Sequence, residues 1–198
     1  MKYRKGLAIF LLLLAQTAGA DGLFSPKSLY DTAKSQERTN LREAITLYNS
    51  SAKGGYLPAQ LLLAGLHRSG IAGVEQSCQK SIYWYERAAE QDSVDAVVEL
   101  ASIYADNKDQ CYAPKKAAAL YKEAANNGHG QAQQGLALLY MQGVGVKMDP
   151  VEAYAWLSAS MRNGVYRTSL SLREIVEKYM TPAELEKAKA MAKIYVNK

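Results

Sequence analysis

Two cysteines and two histidines are the residues of this chain best equipped for chemistry. A thiol can ligate a metal, attack an electrophile or form a disulfide. Cys78 and Cys111 have no nearby His or carboxylate pair to complete a zinc shell, so a metal site is not expected. His67 and His129 fall in no HExxH spacing and beside no nucleophile motif. His67 reads as a packing residue and His129, between two glycines, as a solvated loop residue. The serines form no GxSxG elbow, and Ser169 and Ser171 sit in a helical stretch where packing or solvation accounts for them. Gly143-Val144-Gly145 is a GxG without the GxxxxGK[ST] of a phosphate cradle and without a strand before it. Glu184 and Glu186 occupy an outer helix face, where acids serve solubility. An enzyme needs a nucleophile or an acid/base pair held in geometry. None is legible here, nor is any cofactor motif, and the chain reads as non-catalytic. The remaining covalent chemistry is a disulfide. In an oxidising compartment an isolated cysteine pair is expected to be bridged, with two unrelated half-exposed thiols as the alternative.

The amino terminus points to such a compartment. Lys2, Arg4 and Lys5 precede the apolar run Leu7 to Ala15, and Ala18-Gly19-Ala20 places small residues where a signal peptidase reads them. Nine residues at ~1.5 Å each span about half of a ~30 Å hydrocarbon core, which argues against an uncleaved anchor. No cysteine follows a candidate cleavage point, so no lipid anchor is expected there. Cleavage after Ala20 would leave Asp21–Lys198 in the bacterial periplasm or secreted, without stable membrane insertion. Much of the basic charge leaves with that segment: 21 basic residues then face 19 acidic ones, a net of +2. The pI near 9.0 is therefore no nucleic-acid footprint, and no Lys/Arg cluster longer than Lys115-Lys116 remains.

The elements that must position any binding residues are helices, and they repeat. Ala59…Leu63…His67, Ala96…Leu100…Tyr104 and Ala132…Leu136…Tyr140 are offset by 37 and 36 residues. A second helix follows each, marked by Trp84-Tyr85, Leu120-Tyr121 and Trp156-Leu157. Positions 63/100/136 are Leu and 64/101/137 are Ala, a core position and one that allows close helix approach. Units run about 56–92, 93–128 and 129–164. Asn40 with Glu43 forms a capping-box pattern before a further second-type helix that ends at Gly54-Gly55. With a helix around Ser28–Glu37, this makes a degenerate first unit, 26–55. Asp149-Pro150 is an N-cap followed by Pro at N1, and Gly128 and Gly164 stand at C′ positions. Thr181-Pro182-Ala183-Glu184 opens a last helix with a polar outer face, so 165–198 reads as a helical cap.

These residues resemble the Sel1-like repeat family, relatives of tetratricopeptide repeats. The resemblance rests on Ala132…Leu136-Ala137…Tyr140…Gly143-Val144-Gly145-Val146…Asp149…Ala153…Trp156…Gly164, with weaker copies before it, over about residues 40–164. It implies an all-α, right-handed α/α solenoid of stacked helix pairs across 21–164, closed by the C-terminal cap. It also implies protein–protein scaffolding, so the expected partner is a protein. His67 departs from the usual Tyr, and both turns that depart from the pattern, after Gly70 and at Asp106–Lys115, carry a cysteine. Stacked first helices line the concave side of such solenoids. Their non-core positions are Leu61, Arg68, Val98, Ser102, Gln134, Leu138 and Met141, a mixed strip suited to an interface. Leu61, Val98 and Leu138 are equally suited to packing between units. The expected function is a periplasmic adaptor that binds through that concave face. Alternatives are a neutraliser of a toxin or hydrolase and, from a different class, a cell-wall-active or β-lactam-binding enzyme.

Overall fold

Capping chemistry divides the chain into helices at short range. The computed structural model describes residues 24–196, so the leader read at residues 1–20 lies outside the described residues. The described residues form ten helices and no strand. They are α1 (Pro26–Gln36), α2 (Leu41–Lys53), α3 (Leu57–Ser69), α4 (Cys78–Ala89), α5 (Val94–Ala105), α6 (Pro114–Asn126), α7 (Gly130–Gln142), α8 (Pro150–Arg162), α9 (Tyr166–Glu177) and α10 (Pro182–Val196). This is an α/α solenoid fold built of successive helix pairs. None of these helices is long and apolar enough to cross a membrane. The described residues divide into two compact units, with the boundary after Arg87.

In the first unit, α1 packs on α2 around Ala33, Ala44, Tyr48 and Ala52, all buried. Asn40 caps α2 by accepting from Glu43 N–H at 3.3 Å, and its side-chain amide donates to the Glu43 carboxylate at 2.7 Å. Tyr30 meets the rings of Tyr48 and Tyr56 at 5.1 and 5.2 Å. The Tyr48 hydroxyl donates to Glu37 Oε1, and burial followed by that bond pushes the phenol pKa well above its ordinary range. Ala59, Leu63 and Ala64 face inward on α3, which ends at Gly70 with a left-handed φ of 67°. The α4 helix approaches so closely that Ser81 Oγ donates to the Ala64 carbonyl at 2.8 Å. Gln60, fully buried, donates to the Ala52 carbonyl at 3.2 Å and so satisfies the last turn of α2.

The second unit repeats these devices. Gln133 is buried and donates to Ala125 at 3.1 Å, as Gln60 does to Ala52. Asn163 Nδ2 in turn donates to Gln133 Oε1 at 3.0 Å. Asp149 caps α8 by accepting from the N–H groups of Val151 and Glu152 at 2.9 and 3.1 Å. His129, expected as a solvated loop residue, caps α7: its Nδ1 accepts from Ala132 N–H at 3.4 Å, and Nε2 lies 3.5 Å from Asp95. The core joins Val98, Ala101, Tyr121, Leu136, Trp156 and Leu157. Both α9 and α10 pack on α8. Thr181 and Glu184 form the capping box that opens α10, Thr181 N–H donating to the Glu184 carboxylate at 2.8 Å. Tyr195 stacks on Trp156 at 4.2 Å and its hydroxyl donates to Glu152 at 3.0 Å.

Two glycines mark closest approach in this unit. A Cβ on Gly135 would stand 2.5 Å from the Tyr121 ring. Gly145 has φ +70°, and a Cβ there would stand 2.0 Å from the Pro114 carbonyl oxygen, which a backbone cannot yield cheaply. Gly164 has φ +94° but open space around it. Gly145→Ala should therefore cost about 3 kcal/mol or more, the left-handed backbone and the clash together. Gly164→Ala should cost about 1–2 kcal/mol from the backbone alone. Urea unfolding of the two variants beside the parent measures both, and equal costs would refute the clash at Pro114.

Candidate functional site

The structure scatters the expected strip among different environments. On α3, Leu61 and Arg68 are half-buried. On α5, Val98 is buried in the core cluster while Ser102 is half-buried. On α7, Gln134, Leu138 and Met141 are half-buried. Gln134 Nε2 is engaged within its unit, donating to Thr168 Oγ1 at 2.6 Å and Ser169 Oγ at 3.1 Å. Ser169 also accepts from the buried Ser160 hydroxyl at 2.6 Å, so the α9 serine tethers that helix rather than waiting for a reactant. Both cysteines are disulfide-bonded and neither is a free thiol.

Two concavities stand out, one in each unit. The second unit carries an apolar groove of about 380 Å³ between the end of α7, the start of α8 and the end of α9. Its lining is Met141, Met148, Pro150, Ile175, Val176 and Tyr179. Tyr179 is 81% exposed and Met148 63%, so large apolar side chains stand in water here without covering one another. Met141 is the one residue of the expected strip that lines it. Ile175 and Tyr179 belong to the periodic residues of the cap; their exposure is legible only once α9 is placed against α8.

The first unit carries a more polar cleft of about 550 Å³, within the range of ligand sites. Ile45 and Tyr83 supply apolar surface above the buried Leu63 and Trp84, and Tyr83 meets Trp84 edge-on at 4.9 Å. Asn49, His67 and Gln79 add polar groups. His67 Nδ1 lies 3.1 Å from the Glu75 carbonyl. The Glu75 carboxylate pairs with Lys80 at 2.9 Å, and the Lys80 bond holds the Glu75 carboxyl below its ordinary range. The turn that shapes this cleft is pinned by Ser77 N–H donating to the His67 carbonyl at 2.8 Å and Gln76 Nε2 donating to that of Arg68 at 3.1 Å. The sequence signal for the cleft was the His at a position held by Tyr in the other copies.

The Sel1 repeat model matches residues 29–56, 57–93, 110–129 and 130–165, more than half of the chain. The chain belongs to the Sel1 repeat family. The first match falls on the unit read as degenerate, and the shortened third begins inside the turn at Asp106–Lys115 and leaves out α5. A Sel1 repeat protein from Oxalobacter formigenes is similar in structure, with a TM-score of 0.65 and 27% identity over 74% of this chain and 62% of that one. A protective antigen of uropathogenic Escherichia coli with an SLR fold aligns with a TM-score of 0.46 at 24% identity, over 88% of this chain and 46% of that one. Among curated proteins, chitin synthase regulatory factor 3 of Schizosaccharomyces pombe is 27% identical over 180 residues. Those residues are 86% of this chain, which spans 19% of that relative's length. Sel1 repeats are protein-interaction scaffolds, and this Sel1 repeat chain shares that architecture.

Packing and presentation make opposite demands on two apolar side chains of the second unit. Val98→Ala should lower stability by about 2 kcal/mol, because it empties a closed core position. Tyr179→Ser should change it by less than about 0.5 kcal/mol. Denaturant midpoints of the two variants check this, and a large loss at Tyr179 would mean that its ring supports the fold.

Proposed function

We propose that this protein is a non-catalytic adaptor of the bacterial periplasm that holds a partner protein through the solenoid's concave face, with the Met141–Tyr179 groove as an apolar anchor point. The observation that carries the reading is the uncovered set of large apolar side chains in that groove on a scaffold of the Sel1 family. Exposed apolar surface of this kind in a water-soluble chain is retained where another surface covers it. The regulatory role in the name of the Schizosaccharomyces relative supports a task exercised on other proteins. The disulfide-bonded cysteines support an oxidising location, as does the leader pattern in residues 1–20.

The anchor is testable by replacing Tyr179 with a photo-crosslinking aromatic residue in cells. A discrete adduct is expected after irradiation, and Met148→Ser with Ile175→Ser should reduce it at least tenfold without a change in thermal midpoint. A diffuse smear unaffected by those changes would sink the reading. For the location, amino-terminal sequencing of the chain recovered from a periplasmic extract should begin at Asp21. Recovery only from the cytosol with Met1 intact would refute it.

A further inference from the structure

The cleft of the first unit stands where the repeat elsewhere places a ring. Position 67 is Tyr104 in the second copy and Tyr140 in the third, and the backbone role is the same in all three. The carbonyls of His67, Tyr104 and Tyr140 accept from Ser77, Ala113 and Asp149 at 2.8, 2.8 and 3.0 Å. The side chain differs, and the turn of the first copy is one residue longer. Tyr104 lies under the Lys116 ammonium, 5.3 Å from the ring centroid, and Tyr140 packs against the core of its unit. The residue equivalent to Lys116 in the first copy is Lys80, and it reaches Glu75 instead. The smaller imidazole of His67 is drawn back to the Glu75 carbonyl, and an open cleft remains in front of it.

We infer that this cleft receives a tyrosine side chain of the bound protein. Ile45 and the half-exposed Tyr83 offer apolar surface over the buried Leu63 and Trp84, and aromatic rings prefer the edge and face contacts that a ring such as Tyr83 presents. The polar groups select a hydroxyl donor. A carbonyl can only accept, so His67 Nδ1 carries a proton toward Glu75, and in that tautomer Nε2 is the acceptor. Asn49 Nδ2 donates to the Ile45 carbonyl at 2.8 Å, which leaves its Oδ1 to accept from a ligand. Lys80 and Glu75 at the rim neutralise each other, so the cleft favours an uncharged side chain over an amine or a carboxylate. A phenol supplies one O–H, which either acceptor can take, whereas a phenylalanine ring leaves both without a donor.

This rests on the adaptor reading only for the source of the ring, so the cleft can be tested with free p-cresol on the whole chain. Titration followed by amide and indole resonances should give saturable shifts at His67, Tyr83 and Trp84, with toluene at least fivefold weaker. His67→Tyr supplies the ring from within and should weaken p-cresol at least tenfold while the thermal midpoint stays level or rises. If that variant does not fold, Asn49→Leu, which keeps only the His67 acceptor, should at least halve the preference for p-cresol over toluene, and an unchanged preference would count against the inference. Absence of saturable shifts, equal binding of toluene by the parent, or undiminished p-cresol binding by folded His67→Tyr would overturn the inference. A cross-linked adduct at position 179 alongside failed p-cresol binding would remove this pocket and leave the adaptor reading standing. The reverse result would uphold the pocket and remove the anchor.

Discussion

The fold depends on how closely its helices approach, and that distance is set by a seam of small side chains. Ala64, Ala101 and Ala137 occupy one position of the repeat and are all fully buried. Ser81, Ala117 and Ala153 occupy the facing position of the second helices and are equally buried. At such separation one extra methyl group meets packed atoms with nowhere to move, and interiors at crystalline density answer with strain rather than flow. Close approach also strips water from helix-end carbonyls, which then need partners. Gln60 and Gln133 meet that need from the interior, each reaching the carbonyl eight residues earlier. Ser81 is satisfied differently, its buried hydroxyl donating to the mid-helix Ala64 carbonyl. The seam and its buried amides are therefore one device: small residues bring the backbones together, and polar side chains repair the desolvation that follows.

Much of this was legible in the sequence because its causes are local. Asn40, Asp149 and Thr181 cap the helices they were expected to cap, since a cap depends on three or four neighbouring residues. The glycine turns behaved likewise, because a left-handed φ is a property of one residue. The site was less legible, since exposure is decided by residues far away in sequence. Val98 shares its repeat position with Leu61 and Gln134, yet only Val98 is closed into the core. Gln134 bonds to Thr168, 34 residues onward, a contact that periodicity does not encode. The buried glutamines were missed because a polar residue in a helix reads as surface. Their recurrence at 60 and 133, two repeats apart and beside Ala59 and Ala132, was the signal available. His129 was missed for a different reason: imidazole is an uncommon cap, so composition gave no hint of it.

The same logic explains where binding surface can arise in a repeat fold. Core positions cannot vary without loss of stability, so specificity is confined to positions that the repeat leaves free or breaks. The chain breaks its pattern by size at His67, and a cleft opens in place of a phenol. It breaks it again after Gly164, where α9 and α10 both lie on α8 and no further pair follows among the described residues. The end of α9 then carries Ile175 and Tyr179 beyond the reach of a covering helix, beside Met148 from the turn before α8. One concavity comes with a smaller side chain, the other from a helix end that no described helix covers. Their chemistries follow from those origins: the first keeps the polar fixtures of a turn around an apolar floor, whereas the second is a bare packing face. A partner that engages both must offer an aromatic hydroxyl to one and a purely apolar segment to the other, which is a more specific demand than either surface makes alone.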